Sequence, residues 1–530
     1  MSASAGRVLI IPRGDYNSAT TYNMLDMVFY SGKSYICKQT STGNDPTNTV
    51  YWQIMIDGAS EFSALSDVEL NNLQNGDGIY YDATAQKWKN TTPTSIAITS
   101  PPATTEYSDG DILDLTGMVV TAYYAGGSTR NITGECTFTP ANGSTLSSSD
   151  TAVTVTWRTF TATQTISVVQ LIYGVEWDGS SSPAMTRTDT SADFVDPVPY
   201  YAGMTETPSS PFDNIMPWSG MQIVDDPIIG KIVSIPKFYY KREITNNSYK
   251  LQISPNKPDN TWLVSPAHMD RGDGQGERDV VYVGRYHVND QGKSVTGANP
   301  KTELPQSMFG TLIHNNGSEY WMYDVPMLET IRMLYLVEYA TLDSQSAIGY
   351  GCDYNNSRTT GSTDSMPYHT GTIQSSRTTY GAMQYRHIEG LWSGVLDSVK
   401  GIRMRYLVSN YRFYATKTLS LYNDNEVEVA TLPSGSYYGC MLSMKQSEVQ
   451  GYEYVSVPRN GTSGTNYNNY YCDAISVGSD DGNDRVLYTG GDTNNLARGI
   501  FNWVTNQEST GSSGGYSYAG TRVIKMPNAS

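Results

Sequence analysis

Residues 320–351 have the sequence Tyr320-Trp-Met-Tyr-Asp-Val-Pro-Met-Leu-Glu-Thr-Ile-Arg-Met-Leu-Tyr-Leu-Val-Glu-Tyr-Ala-Thr-Leu-Asp-Ser-Gln-Ser-Ala-Ile-Gly-Tyr-Gly351. They contain the clearest helix signal in a chain whose other segments indicate strands and loops. Apolar side chains recur there at steps of three or four residues, as in an amphipathic helix: Met327, Leu328, Ile331, Leu334, Tyr335 and Val337. Asp324 can cap this helix, Pro326 suits its first turn, and Gly349 and Gly351 lie beyond its end.

The polar residues of this stretch indicate a scaffold rather than a reaction site. We expect the apolar face of the helix to pack against a sheet of a C-terminal domain. Glu338, Asp343 and Gln345 are then expected to hold neighbouring loops by hydrogen bonds.

The composition indicates a β-rich chain with a surface suited to contacts. At 530 residues, the chain is long enough for three or four domains. Hydrophobic residues make up 38% and charged residues only 16%, so Ser, Thr, Asn, Gly and Tyr fill the difference. Tyr outnumbers Phe by 41 to 10, and a Tyr ring offers an apolar face with a polar tip. The alternative is that Tyr serves only as a good strand residue.

The charge and the cysteines argue against several classes of protein. The formal net charge of −17 argues against a nucleic-acid partner, because phosphate binding needs clusters of Lys and Arg. The N-terminal residues lack a long apolar segment and the chain has no run of 18 apolar residues, so neither a signal peptide nor membrane insertion is expected. The cysteines show no CxxC pair and no disulfide framework, which favours folding in a reducing cytoplasm: Cys37, Cys136, Cys352, Cys440 and Cys472.

Residues 1–58 form the first predicted module. Alternating apolar residues on both sides of Ser31-Gly32 predict a β-hairpin. The aromatic pattern resembles that of small chitin-binding-type modules in chitinases and phage tail proteins, and it includes Tyr16, Tyr22, Tyr30, Tyr35 and Trp52. These rings could form the core of a short module or a platform for a sugar. At the end of a fibre, the module could equally attach the chain to other virion proteins.

Residues 59–93 are predicted to be a shaft or linker. Residues 65–90 resemble a segment of many phage tail fibres that forms trimers in that family. Its few large apolar groups cannot bury much surface within one chain, so they gain most from association of several chains. A monomeric linker is the alternative.

Residues 94–172 are predicted to form a β-sandwich. Strand candidates follow one another with Gly and Pro turns between them: 95–98, 118–124, 136–139, 152–157 and 163–169. Residues 98–129 resemble bacterial Ig-like domains, which usually act as spacers on surface proteins and phage fibres.

Several segments of residues 173–530 share one resemblance, namely 235–241, 281–286, 338–351, 385–401, 497–503 and 520–524. They resemble the C-type-lectin-like fold of phage receptor-binding proteins and, more distantly, formylglycine-generating-type enzymes. In that family, residues like 385–394 pack a Trp-bearing turn under the binding loops, although the Trp here is displaced to Trp392. The last strand of the family pairs with the first.

The C-terminal loops contain the candidate receptor contacts. Residues 460–472 are polar, rich in Gly, Tyr and Asn, and lack any helix or strand period, which is typical of adaptable recognition loops. In the lectin-like layout, residues 492–495 and 508–518 would join them. The candidates are Asn466, Tyr467, Asn468, Asn469, Tyr470, Tyr471, Asn494, Asn495, Trp503, Tyr516 and Tyr518. A plain surface loop is the alternative.

Sequence signals for a metal site or for an active site are weaker than those for receptor contacts. Residues 270–277 and 479–484 are acidic, Gly-rich turns that could supply oxygen ligands to calcium, but neither has the EF-hand spacing. The histidines have no metal-binding spacing, and no Gly-x-Ser-x-Gly elbow occurs. We therefore expect neither a cofactor nor enzymatic activity.

Together these features predict a mostly β, multidomain chain with a small β module (1–58), a trimerising segment (59–93), an Ig-like β-sandwich (94–172) and an α+β C-type-lectin-like receptor-binding domain (173–530). The expected function is that of a phage virion fibre protein, made in the host cytoplasm, which binds a glycan or protein of the host surface as a homotrimer. The alternatives are a capsid-attached head fibre or decoration protein with a similar tip, and a glycan-degrading tail spike.

Overall fold

The computed structural model describes residues 9–57, 65–71, 77–125, 127–245, 248–352, 359–392, 394–407, 409–421, 425–433, 438–462, 469–477, 484–491, 499–505 and 518–528. Strands account for 42% of the residues and helices for 8%, so the predicted mostly β, multidomain fold class is confirmed. The chain divides into two compact units, 1–169 and 170–530. Within the described ranges, no helix is long and apolar enough to cross a membrane. The finer division into four domains stays a prediction.

Unit 1 begins with a four-stranded sheet of Ile11–Asp15, Asp26–Tyr30, Lys33–Cys37 and Trp52–Ile56, beside a pair formed by Thr21–Tyr22 and Ser41–Thr42. The predicted hairpin is confirmed, and its turn residues Ser31 and Gly32 have φ of 47° and 73°. Left-handed φ at both positions matches the twist of the flanking strands. Tyr22, Tyr35 and Trp52 are buried in the core of this module, so their faces are not available as a sugar platform.

A three-stranded sheet follows, made of Val68–Glu69, Gly78–Asp82 and Lys87–Thr91. Ile79, Tyr81 and Trp88 are exposed on it by 47%, 48% and 40%. Tyr81 and Trp88 lie opposite each other in the antiparallel register, with ring centroids 5.4 Å apart. This sheet therefore leaves large apolar groups on its surface.

The next segment has the strands predicted from its turns. They are Pro93–Ser100, Glu106–Ser108, Val119–Tyr124, Thr129–Asn131, Thr137–Thr139, Ala152–Trp157, Phe160–Thr165 and Ser167–Val169. The five candidate strands are confirmed, the last of them as two short strands. Val120 and Val153 come from two different three-stranded sheets and are buried in one shared core.

Unit 2 contains four sheets and, among its described residues, three α-helices: α1 (Gln306–His314), α2 (Val325–Tyr339) and α3 (Ser344–Ile348). The first five-stranded sheet has the order Thr186–Asp189, Tyr173–Trp177, Ser248–Ser254, Tyr239–Thr245, Leu263–Val264. The second has the order Ile223–Asp226, Gly230–Pro236, Val280–Gly284, Val523–Lys525, Tyr320–Met322. A small four-stranded sheet has the order Tyr200–Tyr201, Gly371–Thr372, Met383–Tyr385, Ile388–Glu389.

The largest sheet is nine-stranded. Its order is Val427–Pro433, Asn410–Ala415, Leu396–Leu407, Asp484–Thr489, Trp503–Thr505, Ala474–Val477, Tyr438–Gln446, Ser456–Thr462, and Ala519–Gly520 pairs in addition with Leu396–Leu407. Helix α2 contacts Leu396–Leu407 of this sheet and both Tyr173–Trp177 and Ser248–Ser254 of the first five-stranded sheet.

Helix α2 begins as predicted. The Asp324 carboxylate accepts a hydrogen bond from the Met327 amide at 3.1 Å, and Pro326 stands in the first turn. The helix ends at Ala340, whose φ is 49°. The expectation of an amphipathic helix is wrong, because all its residues are buried, including the charged ones. Contact with sheets on more than one side leaves no face for water.

The charged residues inside α2 are paired with buried partners. Glu329 accepts from Arg242 and from Arg332, each at 2.8 Å. Glu338 accepts from Arg386 at 2.6 and 3.0 Å and also from Ser210 and Tyr385. The predicted hydrogen-bonding role of Glu338 agrees with these contacts.

Hydrogen bonds also fix the smaller elements around α2. Asp343 caps α3 by accepting from the Ser346 amide at 3.0 Å, and Gln345 donates to the Tyr350 carbonyl. Trp392 is fully buried, and its indole N–H donates to the Gly349 carbonyl at 2.7 Å.

The predicted pairing of the last strand with the first is wrong. Val523–Lys525 lies between Val280–Gly284 and Tyr320–Met322, whereas Tyr173–Trp177 belongs to the other five-stranded sheet. Arg522 explains part of this placement, because its buried guanidinium donates to Asp397 at 2.9 Å and so holds the strand beside the nine-stranded sheet.

Replacing Glu329 with Gln should lower the free energy of unfolding by about 3–5 kcal/mol, because the buried Arg242 and Arg332 then lack a carboxylate. Urea denaturation of the full chain, followed by tryptophan fluorescence, measures the difference. Glu428→Gln is the matched control, since Glu428 is 39% exposed and pairs with the exposed Arg412; it should cost less than about 1 kcal/mol. Equal stability of the two variants would contradict the role of the buried pair.

Candidate functional site

Several predicted contact residues lie outside the residues that the structure describes, namely Asn466, Tyr467, Asn468, Asn494, Asn495 and Tyr516. Asn469 and Tyr470 are described and partly exposed. The Tyr470 amide donates to the Ser181 carbonyl at 2.9 Å, and the Cys472 amide donates to the Asn469 carbonyl. These bonds make a turn that leads into the strand Ala474–Val477.

Tyr471 and Trp503 are buried, each with only 1% of its surface exposed. The Tyr471 ring packs edge-on against Trp177 at 5.5 Å and against Phe501 at 5.6 Å. The Trp503 ring lies 6.3 Å from Phe413 inside the same core. The prediction that these two residues contact a receptor is therefore wrong, because their rings pack inside unit 2.

Tyr518 is partly buried. It packs against a small apolar cluster of Leu396, Val486, Tyr488, Val504 and Ala519. Its carbonyl accepts from the Leu396 amide at 2.8 Å, so the residue is fixed to the nine-stranded sheet.

Eight strand ends of the nine-stranded sheet lie together at one end of its strands. We call it the loop edge, and it consists of the strand ends Leu407, Asn410, Pro433, Tyr438, Thr462, Val477, Asp484 and Thr505. The register places them together, because Arg405 pairs with Asp484, Asn410 with Pro433, and Val477 with Thr505. Tyr438 and Thr462 follow at the same end of their strands.

Three connections start and finish at the loop edge: 407–410, 433–438 and 477–484. The chain also leaves the sheet there after Thr462 and Thr505, the strand ends that precede Asn466 and Tyr516. In contrast, Thr489 pairs with Asp397 at the opposite end of its strand. The strand end that precedes Asn494 and Asn495 is therefore remote from the loop edge.

Charged side chains cover one face of the sheet beside the loop edge. Arg403 and Arg405 alternate with the buried Met404, so both point away from the core. Both guanidinium groups donate to the Asp484 carboxylate, and Arg403 also donates to Glu426. Side chains thus join Leu396–Leu407 to the neighbouring strand Asp484–Thr489 and to the residue that precedes Val427–Pro433.

The electrostatics of this cluster follow from these bonds. Burial alone would raise the pKa of Asp484, but hydrogen bonds from Arg405 and the charge of Arg403 lower it below its usual value. Burial raises the pKa of Glu426 despite the attraction of Arg403. The hydrogen bond to Asp484 raises the pKa of Arg405. The two carboxylates and the two arginines largely neutralise one another, so the cluster is better suited to fixing strand ends than to binding an ion.

Composition could not identify this cluster, but the strand pattern contains a signal. In 402–405, Ile402 and Met404 alternate with Arg403 and Arg405, which predicts a strand with one apolar and one charged face. The partner Asp484 follows about 80 residues later, and nothing local connects it to Arg405.

A second buried carboxylate fixes the turn at Asn469. Asp473 is 1% exposed and accepts from the backbone amides of Gly499 and Phe501. Burial raises the pKa of Asp473 to about 8, against the opposing effect of those two amides. The bonds join the start of Ala474–Val477 to the segment that precedes Trp503.

In the structure, the acidic turn at residues 270–277, which was predicted as a possible calcium site, forms hydrogen bonds with protein groups. The Asp273 carboxylate accepts from the Arg278 guanidinium and from the Gln275 amide. Among the described residues, no group of three His, Cys, Asp or Glu side chains could hold a metal ion. Residues 479–483 of the other turn lie outside the described residues.

The chain matches no protein-family model, and no curated protein is significantly similar to it.

Asp484→Asn should lower the free energy of unfolding by about 1–2 kcal/mol near neutral pH, because an amide cannot balance Arg403 and Arg405. The folded-state pKa of Asp484 is lowered, so its contribution exists above the unfolded-state pKa and is lost as the pH falls through the folded-state pKa. The difference from wild type should therefore shrink below about pH 4.

Urea denaturation at neutral and acidic pH measures this difference. The control is Asp290→Asn, since Asp290 is exposed on the same unit; it should change stability by less than about 0.5 kcal/mol at either pH. A pH-independent effect of Asp484→Asn would contradict the charge pairing.

Proposed function

We propose that the chain is a structural fibre protein of a phage virion and that it binds the host-cell surface through unit 2 without catalysing a reaction. The observation that carries this proposal is the loop edge, where one rigid sheet presents three connections and two further chain exits together. Binding residues are often found on loops held by such a rigid scaffold. The resemblance of residues 173–530 to lectin-like receptor-binding domains supports the same proposal.

The loop edge has the physical properties that recognition requires. Its strand ends are fixed by backbone pairing and by the Arg403–Asp484–Arg405 cluster, so little entropy is lost in ordering the support when a ligand binds. The Gly-, Tyr- and Asn-rich sequence follows directly after Thr462. Such residues combine large contact area with adaptable hydrogen bonding.

Unit 1 supports the fibre part of the proposal. The sheet of Gly78–Asp82 and Lys87–Thr91 exposes Ile79, Tyr81 and Trp88, and burying such groups against copies of the same segment would stabilise an oligomer. We propose a homotrimer, with residues 1–58 serving attachment to other virion proteins. Several weak sites on one trimer would then act together with high effective concentration.

Light scattering of the purified full chain tests the trimer directly. The expected mass is about three times the 58.3 kDa of one chain. Replacing both Tyr81 and Trp88 with Ser should lower the mass towards that of one chain, because the exposed apolar pair is lost. Tyr123→Ser is the control, since Tyr123 is exposed elsewhere in unit 1. A wild-type mass of about 58 kDa would contradict the trimer.

Blocking the loop edge should abolish binding to host cells. Thr431 is exposed and pairs with Arg412, close to the strand ends at Asn410 and Pro433. Thr431→Cys, labelled with a polyethylene-glycol maleimide, should lower cell binding by at least about tenfold, because the polymer covers the edge. Flow cytometry of fluorescent protein on cells of the bacterial host measures the binding.

The matched control is Thr161→Cys with the same label, because Thr161 is an exposed strand residue of unit 1. It should bind cells like the wild type. Four of the native cysteines are buried, and labelled wild-type protein controls for reaction at Cys136. If labelled Thr431→Cys and labelled Thr161→Cys bind cells equally well, the loop edge is not the recognition surface.

A further inference from the structure

A cleft of about 500 Å³ opens beside the edge strand Tyr320–Met322 of the second five-stranded sheet. Its volume lies in the range of small-molecule sites. Its lining is formed by Trp321, Glu319, Ser318, Asp273, Gln275 and Asn528, with Leu419 and Pro527 among the other contributors. None of these residues belongs to the loop edge.

Trp321 contributes an aromatic side chain to the lining of the cleft, and that side chain also packs against the main core of unit 2. The residue is only partly buried, and its ring lies 4.3 Å from the His314 ring at an angle of 38°. Its backbone is fixed by pairing with Ile524 in the neighbouring strand. Ring and backbone are therefore held before any ligand arrives, which lowers the entropy cost of stacking.

The polar lining offers hydrogen bonds without a strong net charge. Glu319 lies 3.4 Å from the Lys525 ammonium, and Asp273 pairs with the buried Arg278. Asp273 thus has its own cation, whereas Glu319 shares Lys525 with Asp226, which lies closer to the ammonium at 2.7 Å. Gln275 and Asn528 are exposed amides, each able to donate and accept hydrogen bonds.

This combination favours one class of ligand. A hydroxyl-rich ring has an apolar C–H face that can stack on an indole and hydroxyl groups that can bond amides and carboxylates. A purely apolar ligand would desolvate the amides and carboxylates without replacing their hydrogen bonds. A strongly anionic ligand would be repelled by Glu319, whose cation Lys525 is shared with Asp226, and a strongly cationic ligand would compete with Arg278 for Asp273.

We propose that the cleft is a second recognition site of unit 2 and that it binds a neutral mono- or disaccharide, with one sugar ring on Trp321. The proposal rests on the proposed function for the source of the sugar, which is a glycan of the host surface. Its geometry is independent of the loop edge, so the two sites can be tested separately.

Saturation-transfer NMR on the full chain tests the site. The probes are methyl glycosides of glucose, galactose, N-acetylglucosamine and rhamnose, together with maltose and lactose. At least one probe should bind with a dissociation constant on the order of 1 mM, as expected for a single open site. Trp321→Ala should weaken that binding by at least about tenfold and Gln275→Ala by about threefold, because each removes one contact with the sugar.

Two controls separate a site effect from a folding effect. Gln275→Ala leaves the backbone bond from Gln275 to Asp273 intact, so it keeps the turn while removing the amide side chain. Tyr123→Ala removes an exposed ring in unit 1 and should leave saturation transfer unchanged. Near-ultraviolet circular dichroism should be the same for Gln275→Ala and the wild type.

The possible outcomes are distinct. Absence of saturation transfer from all six probes, or equal transfer in wild type and Trp321→Ala, overturns the saccharide site. Cell binding that is lost with labelled Thr431→Cys, in a protein for which none of the six probes shows saturation transfer, overturns the cleft and leaves the adhesin proposal standing. Sugar binding that depends on Trp321 in a protein that fails to bind host cells supports the cleft and overturns the adhesin.

Discussion

Burial of charge inside helix α2 is the constraint on which the rest of unit 2 depends. The backbone of a helix satisfies its own hydrogen bonds, but buried Glu329 and Glu338 also need partners for their charge. Arg332 of the helix itself pairs with Glu329, and the other cations come from other elements. Arg242 comes from the first five-stranded sheet, and Arg386 directly follows a strand of the small four-stranded sheet. Any packing that separated these residues would leave a charge unpaired at a cost of several kcal/mol. We infer that the pairs select one arrangement of sheets around the helix.

The same helix sets the positions of both proposed recognition sites. Arg332 donates to the Ile500 carbonyl at 2.9 Å, which fixes the approach to Trp503–Thr505 in the nine-stranded sheet. At the other end of α2, the capping residue Asp324 also pairs with Arg271, whose carbonyl accepts from the amide of Leu419. Leu419 lines the saccharide cleft. Rigidity at the sites therefore originates in the core rather than at the surface.

The sequence supports local predictions well and distant ones poorly. The hairpin at Ser31-Gly32, the cap at Asp324 and the strands predicted in residues 94–172 depend on neighbouring residues, and the structure contains them. Helix α2 was expected to be amphipathic because its apolar residues recur at steps of three or four, but its Glu and Arg residues are buried as well.

Partners more than 40 residues away, such as Arg386 for Glu338, carry no local signal. Tyrosine raises a related difficulty, because a buried Tyr471 and a partly exposed Tyr470 differ only in what the fold places around them.

Residues 519–525 link the strand that ends at the loop edge to the strand that lines the cleft. Ala519–Gly520 pairs with Leu396–Leu407, the strand that also ends at the loop edge. Arg522 then donates to Asp397 and to the Gly390 carbonyl, at 2.9 and 2.6 Å. The next three residues, Val523–Lys525, pair with Tyr320–Met322, the strand that carries Trp321.

Both sites are therefore anchored to one short, buried segment. Because buried strands at the centre of a core have the highest local stability, the spacing between the two sites should change little when either is occupied.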